Sequence, residues 1–364
     1  MSILEQIEQP TLLLDEAVAK QNIEKMNDKI KDAGVRFRPH FKTHQSAVIG
    51  DWFREKGVEK ITASSVDMAE YFADYGWRDI LIAISVNIRQ QQRIEDLGRR
   101  IHLEVLVENP ESVEALTNTT ADVWIKVDTG ARRTGIDWQN ISQAYELVQE
   151  IKKHRNLSFR GLLTHSGNTY HCHSPQEIVL AFREGVEHLN YLRNGLEQKG
   201  IEGIEVSVGD TPGCSLCEDF SGIDELRPGN FVFYDAQQYA AGVCRADQIA
   251  VAVACPVIAT HPERKEVVVY GGAIHLSKDF LEVGGLRSYG LVAFPEGNGW
   301  GKPIDGAIVS SLTQEHGVLH FTDNQIGDLK PGDLVFILPA HSCLAVYQLK
   351  KYLTNSGEII RTMH

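Results

Sequence analysis

The feature that most constrains this chain is an even alternation, over its first 245 residues, of short apolar runs with longer stretches of helical period. The β-branched runs fall at 35–42, 60–64, 79–85, 102–108, 123–128, 159–164, 205–208 and 231–234. Amphipathic segments lie between them at 67–75, 90–99, 139–153 and 175–199. In the last of these, Ile178, Ala181, Phe182, Val186, Leu189 and Leu192 recur near a 3.6-residue period. Gly34, Gly57, Gly76 and Gly200 stand where the helical patterns end, as left-handed caps prefer. Strand alternating with helix predicts a parallel sheet, and eight such repeats predict a closed (β/α)8 barrel of the TIM type.

After about residue 246 the pattern changes. Stretches 249–258, 266–270, 308–311, 319–322 and 333–338 read as strands, separated by turns such as Pro295-Glu296-Gly297-Asn298-Gly299. No matching series of long helices accompanies them. The expected organisation is an α/β barrel domain over 1–245 and a mainly-β domain over 246–364. A length of 364 residues is enough to bury two cores.

The formal charge of −13 and the lack of a basic stripe disfavour nucleic acid and point to a small-molecule partner. No apolar run approaches the roughly 20 residues that cross a bilayer, so no membrane role is expected. The N-terminal residues lack a basic segment followed by an apolar one, which argues against a secretory leader. Six scattered cysteines read as reduced thiols of a cytoplasmic enzyme.

Chemistry in a barrel gathers at the carboxyl ends of its strands, and those ends are rich in polar groups here. The first closes in Arg38-Pro39-His40-Phe41-Lys42-Thr43-His44. An amine attacks an aldehyde only when unprotonated, and Arg38, His40 and His44 are candidate sources of a field that lowers the pKa of Lys42. A solvated loop lysine is the alternative. Val208-Gly209-Asp210-Thr211-Pro212-Gly213-Cys214 ends a strand with two glycines and a hydroxyl, which suits a phosphate at a helix start but also an ordinary turn. Asp210 is awkward there, because a carboxylate repels a phosphate unless it points away. His341-Ser342-Cys343 places an imidazole and a thiol two residues apart, on one side of an extended chain, which suits zinc. A buried cysteine beside a hydrogen-bonded histidine is the alternative. His171-Cys172-His173 is a rival metal site, and Cys214 with Cys217 reads as structural.

Taken in order, these motifs resemble the D-threonine aldolase and D-serine dehydratase family of fold-type III pyridoxal-phosphate enzymes, relatives of the alanine racemases. The likeness also rests on Val127-Asp128-Thr129-Gly130-Ala131-Arg132-Arg133-Thr134-Gly135, His165-Ser166-Gly167-Asn168-Thr169-Tyr170 and Glu225-Leu226-Arg227-Pro228-Gly229-Asn230, and it spans nearly the whole chain. It implies that Lys42 carries pyridoxal 5'-phosphate as a Schiff base. His165 and Tyr170 then pack near the ring, and Arg133 sits by the ring or the substrate carboxylate. Gly209, Asp210, Thr211 and Tyr234 line the phosphate site, and His341 and Cys343 bind a divalent metal. Arg132 and Asp210 depart from the family pattern.

The implied reaction is that of a lyase on β-hydroxy D-amino acids, and a homodimer is implied with it. A thiolate at Cys343 suits zinc over manganese or magnesium, and in the group that the chain resembles such ligation implies a D-serine dehydratase-type ammonia-lyase reaction. Retro-aldol cleavage of the D-threonine aldolase type is the alternative, and amino-acid racemisation a more remote one.

Overall fold

A computed structural model of the chain describes residues 3–322, 326 and 329–364. The N-terminal reading begins on Met1 and Ser2, which lie outside the described residues. The chain divides into two compact units, one of Lys25–Lys42 with Gly50–Gly229, the other of Met1–Glu24, Thr43–Ile49 and Asn230–His364. Both are discontinuous in sequence. The boundary read at 245 marks where the sequence pattern changes, and residues 1–24, 43–49 and 230–245 group with the second unit.

The first unit is the expected α/β barrel. Its parallel strands are Arg36–Phe37, Lys60–Ala63, Asp79–Ser85, His102–Val107, Ala121–Asp128, Leu157–Leu163, Glu205–Val208 and Glu225–Leu226. Arg36–Phe37 pairs with Glu225–Leu226, and pairing then runs back through the others to Lys60–Ala63. A bridge between His40 and Thr62 closes the ring. There Phe41 N–H donates to the Thr62 carbonyl and Thr62 N–H to that of Pro39, both at 2.9 Å. The helices start where side chains cap them. Ser65, Asn109, Asn140 and Ser174 each accept a backbone N–H of the first turn.

One strand was misplaced by sequence. The run 231–234 is not the eighth barrel strand; Glu225–Leu226 is. Asn230–Val232 forms a 3₁₀ turn. The Asn230 carbonyl accepts from Phe233 N–H at 3.0 Å and Tyr234 N–H at 2.7 Å. Hydrophobicity pointed to the wrong segment because the true strand is two residues long and carries a buried glutamate.

The second unit is built on one mostly antiparallel sheet. Its order is Glu266–Tyr270, His316–Phe321, Ala307–Leu312, Gly290–Ala293, Leu334–Pro339, Val251–His261, Thr11–Leu14, Lys351–Thr354, Ile359–Arg361. All five strands expected after residue 246 are present, Glu266–Tyr270 with the ends expected and the other four with shifted ends. Thr11–Leu14 was not anticipated, since a four-residue run after Pro10 has no period to read. It pairs antiparallel with Val251–His261 and parallel with Lys351–Thr354. No described helix is long and apolar enough to cross a membrane.

The barrel interior holds Leu81, Leu106, Trp124 and Leu163, but also a charged cluster. Arg38 is 1% exposed. Its guanidinium donates to Glu225 Oε2 at 2.9 Å, to Asp79 Oδ1 at 2.6 Å and to Glu104. Trp124 Nε1–H donates to Glu104 Oε2 at 2.5 Å, and Lys60 pairs with Asp79. Burial disfavours every charge here, yet the three carboxylates together raise the Arg38 pKa above its ordinary value. Replacing Arg38 with alanine strands carboxylates in the barrel and is expected to cost about 3–5 kcal/mol. Urea unfolding measures it, and an unchanged midpoint would refute the role given to Arg38.

Candidate active site

The carboxyl ends of the barrel strands bring together most of the residues singled out by sequence. Lys42 lies half-buried in the turn after the His40 bridge. His165 follows the strand Leu157–Leu163, and its Nδ1 lies 2.5 Å from the Gly209 carbonyl. A carbonyl only accepts, so Nδ1 carries the hydrogen and Nε2 the lone pair. Burial, then the neighbouring Lys42 charge, hold the imidazole well below its usual pKa, with Lys126 and Arg133 adding to the effect. A neutral ring beside the lysine suits stacking on a cofactor. The Tyr170 ring lies 5.9 Å from that of His165, and its hydroxyl accepts the Thr211 N–H at 3.3 Å. Arg133 is exposed, on a loop turned by Asp128, whose Oδ1 accepts the N–H groups of Gly130 and Arg132.

Two of the three charges expected to act on Lys42 are engaged elsewhere. Arg38 is committed to its carboxylates inside the barrel. His44 falls in the second unit, where burial pushes its imidazole down to about 3, so it carries no charge. The charges that act on His165 at this mouth are Lys42, Lys126 and Arg133. Lys126, in the strand Ala121–Asp128, was given no role from sequence. It is 6% exposed, and burial, reinforced by Arg227 and Arg133, lowers its pKa to about 7. A strand-end lysine amid apolar neighbours was the available signal.

Asp210 is committed to the start of the helix that follows it. It caps the helix Thr211–Leu216, with Oδ1 accepting from Gly213 N–H at 2.6 Å and Thr169 Oγ1 at 3.0 Å. Burial pushes its pKa up to about 7. Packing gives the two glycines a reason besides the one sequence suggested. A Cβ on Gly209 would meet the Arg227 carbonyl at 2.8 Å, and one on Gly213 would meet the Phe182 ring at 2.1 Å. Close packing requires both. Two buried acceptors of this region, Asn168 Oδ1 and Asp210 Oδ2, have no partner among the described residues, as a buried water donating to them would explain. With Lys42, Lys126 and Arg133 nearby, the residues fit an anionic, aldehyde-bearing cofactor.

The second unit contains Tyr234, His341 and Cys343. Tyr234 is buried with φ +50°. His341 precedes the helix Ser342–Leu349, and its Nδ1 lies 3.2 Å from Asp235 Oδ2. Cys343 Sγ lies 3.3 Å from Thr43 Oγ1. Burial opposes a charged His341, but the Cys343 thiolate and the Asp235 carboxylate outweigh it and raise its pKa. An imidazole beside a thiolate is a donor set that fits zinc, with two protein ligands and the rest from solvent or substrate.

The other candidates are weaker. His171 and His173 are exposed, and the Cys172 thiol donates to the Asn168 carbonyl at 3.6 Å. Cys214 and Cys217 are buried thiols with raised pKa values. Asp79, His102 and Glu104 bring three ligand groups together. Arg38 and Lys60 already neutralise that cluster.

Asp210 gives the fold a measurable pH dependence. Its pKa rises from 3.8 to about 7 on folding. Its contribution is therefore complete below about pH 3.8 and lost as the pH rises through about 7. Asp210→Asn keeps an acceptor for Gly213 N–H, and it should flatten the fall in Tm across that window. Parallel Tm profiles for the two proteins would contradict the assignment.

Known proteins resemble this chain over its whole length. The sequence profile of the alanine racemase N-terminal domain matches residues 14–237, and that of a serine dehydratase domain matches residues 250–355. A D-serine dehydratase of Dictyostelium discoideum is 28% identical, over 97% of this chain and 95% of that protein. A D-threo-3-hydroxyaspartate dehydratase of Delftia sp. (strain HT23) is also 28% identical, over 95% and 93%. The solved structure of the Delftia enzyme superposes with a TM-score of 0.91 at 25% identity, covering 100% of both chains. The chain belongs to the alanine racemase N-terminal domain family and, within it, to the D-serine dehydratase and D-threonine aldolase group.

Proposed function

We propose that this protein is a pyridoxal-phosphate- and zinc-dependent lyase that dehydrates β-hydroxy D-amino acids, D-serine or 3-hydroxy-D-aspartate, to a keto acid and ammonia. The observation that carries the choice of reaction is the Cys343 thiol beside His341, since a soft sulfur ligand suits zinc and, in the group that the chain resembles, goes with dehydration. When bound, the two groups supply an electron sink for charge at the substrate Cα and a Lewis acid for its β-oxygen.

The residues divide the remaining work. Lys42 would hold the cofactor through Nζ and, as a free amine, would take the α-proton there. His165, neutral and held by the Gly209 carbonyl, packs on the ring. Arg133 offers its guanidinium to the substrate carboxylate, and Lys126 adds a second amine to the same mouth. Tyr170 holds the Thr211 N–H in place, and Thr211, Gly209, Asp210 and Tyr234 serve the phosphate end. His341 and Cys343 hold the zinc. In the same reading, residues 1–245 carry the cofactor and 246–364 the metal pair, and the protein works in the cytoplasm as a homodimer.

Three measurements test this. Addition of pyridoxal phosphate should give a visible absorption band that Lys42→Ala abolishes, with turnover reduced by at least about 10²–10⁴-fold; absence of the band in wild type would end the proposal. Chelation should stop turnover and zinc restore it. With D-serine, D-threonine and 3-hydroxy-D-aspartate, keto acid and ammonia are the expected products. Glycine with an aldehyde would instead establish the aldolase reading, and inversion alone the racemase reading.

A further inference from the structure

Beneath the His341-x-Cys343 pair lies a buried polar platform that no step above uses. Asp235 is 0% exposed and both its oxygens are taken. Oδ2 accepts from Asn230 Nδ2 at 2.8 Å and from Ser342 N–H at 3.1 Å, and it faces His341 Nδ1 at 3.2 Å. Oδ1 accepts from Gln238 N–H at 3.0 Å. A carboxylate so occupied has little left to give a metal. What it does determine is the ring beside it. Two lone pairs cannot face one another at that distance, so the hydrogen resides on Nδ1. In the neutral imidazole the only remaining lone pair is then on Nε2.

The backbone leading into Asp235 is itself unusual. Tyr234 has φ +50°, a left-handed conformation that a bulky residue adopts only when its surroundings impose it. The Asn230 carbonyl, accepting from both Phe233 and Tyr234, makes that turn. Asn230 is drawn into the same platform. Its amide reaches Ser342 Oγ at 2.8 Å and Cys343 Sγ at 3.8 Å. One short segment, Asn230 to Asp235, therefore touches both candidate ligands.

We infer that Asp235 is a positioning residue for the metal site: it fixes His341 as the Nδ1–H tautomer and so presents Nε2 to the metal. The inference rests on the metal reading of His341 and Cys343. It places Asp235 outside the ligand set, acting through the histidine. Such partners of a ligating histidine set ring orientation and basicity, and their loss typically weakens metal binding about 10–100-fold.

The test uses the full-length protein with cofactor bound, and zinc as the probe. Zinc dissociation constants come from competition with a chromophoric chelator, for wild type, Asp235→Asn, Asp235→Ala and His341→Ala. Asparagine retains one acceptor oxygen, so Asp235→Asn should weaken zinc binding about tenfold and Asp235→Ala nearer a hundredfold. Long-range ¹H–¹⁵N correlation of the imidazole in zinc-free protein, at a pH high enough to leave the ring neutral, provides a readout that a merely structural role would not move. Wild type should show His341 protonated at Nδ1, and Asp235→Asn should shift it toward the Nε2–H form. If Asp235→Ala fails to fold, Asp235→Asn with a cooperative melt decides the matter alone. Wild type binding zinc while Asp235→Asn binds it equally well, with the tautomer unchanged, overturns the inference and leaves the metal reading standing. Wild type binding zinc no better than His341→Ala overturns both.

Discussion

The guanidinium of Arg38 is the interaction on which the barrel depends. A (β/α)8 barrel encloses a column that side chains must fill, and in most of this one Leu81, Leu106, Trp124 and Leu163 do so. Near the first strand the filling is ionic. Arg38 reaches Asp79, Glu104 and Glu225, which lie on three different strands, and so ties the short first and last strands to the middle of the ring. Strands as brief as Arg36–Phe37 and Glu225–Leu226 contribute few ladder bonds of their own. Buried ion pairs add little stability over apolar packing, but they specify register, and removing one partner is costly.

From that cluster a polar chain rises toward the mouth of the barrel. Glu225 Oε1 accepts from Ser207 Oγ at 2.9 Å, Ser207 Oγ accepts from Arg227 Nε at 2.7 Å, and Arg227 donates onward to the Thr164 carbonyl. Thr164 immediately precedes His165, and Arg227 is among the charges that lower Lys126. The charge state of the amine at the mouth is thus coupled to buried groups several residues deep. Arg227 serves packing as well, because its backbone leaves no room for a side chain on Gly209.

The same economy of buried groups governs the second unit. Asp235 caps the helix Ala236–Ala240 and accepts the first N–H of the helix Ser342–Leu349. Cys343 lies at the start of the latter helix, in contact with Thr43, the residue that follows Lys42 in the chain. Segments distant in sequence, 43–49, 230–235 and 341–343, therefore supply one constellation.

The alternation of apolar run and helical period was enough to specify an eight-stranded barrel and a following sheet, because periodicity is a local property that each segment carries in its own residues. The ends of strands were legible for a related reason. Polar groups such as Lys42, His165 and Arg133 stand out against the apolar runs they terminate. Partners were not legible. Nothing near position 38 announces that its charge is spent on residues 79, 104 and 225, and nothing near 126 announces a lysine held close to neutrality. The eighth strand was missed because a buried glutamate in a two-residue strand makes sense only once Arg38 is opposite it. The glycines at 209 and 213 read as a phosphate turn, and only the fold shows that the Arg227 backbone and the Phe182 ring leave no space there for a side chain. Sequence by itself determined which elements form and which chemical groups they carry to their ends. Tertiary structure alone decided which charges are cancelled, which are displaced and which nitrogen is offered, because those are energies of pairs brought together from far along the chain.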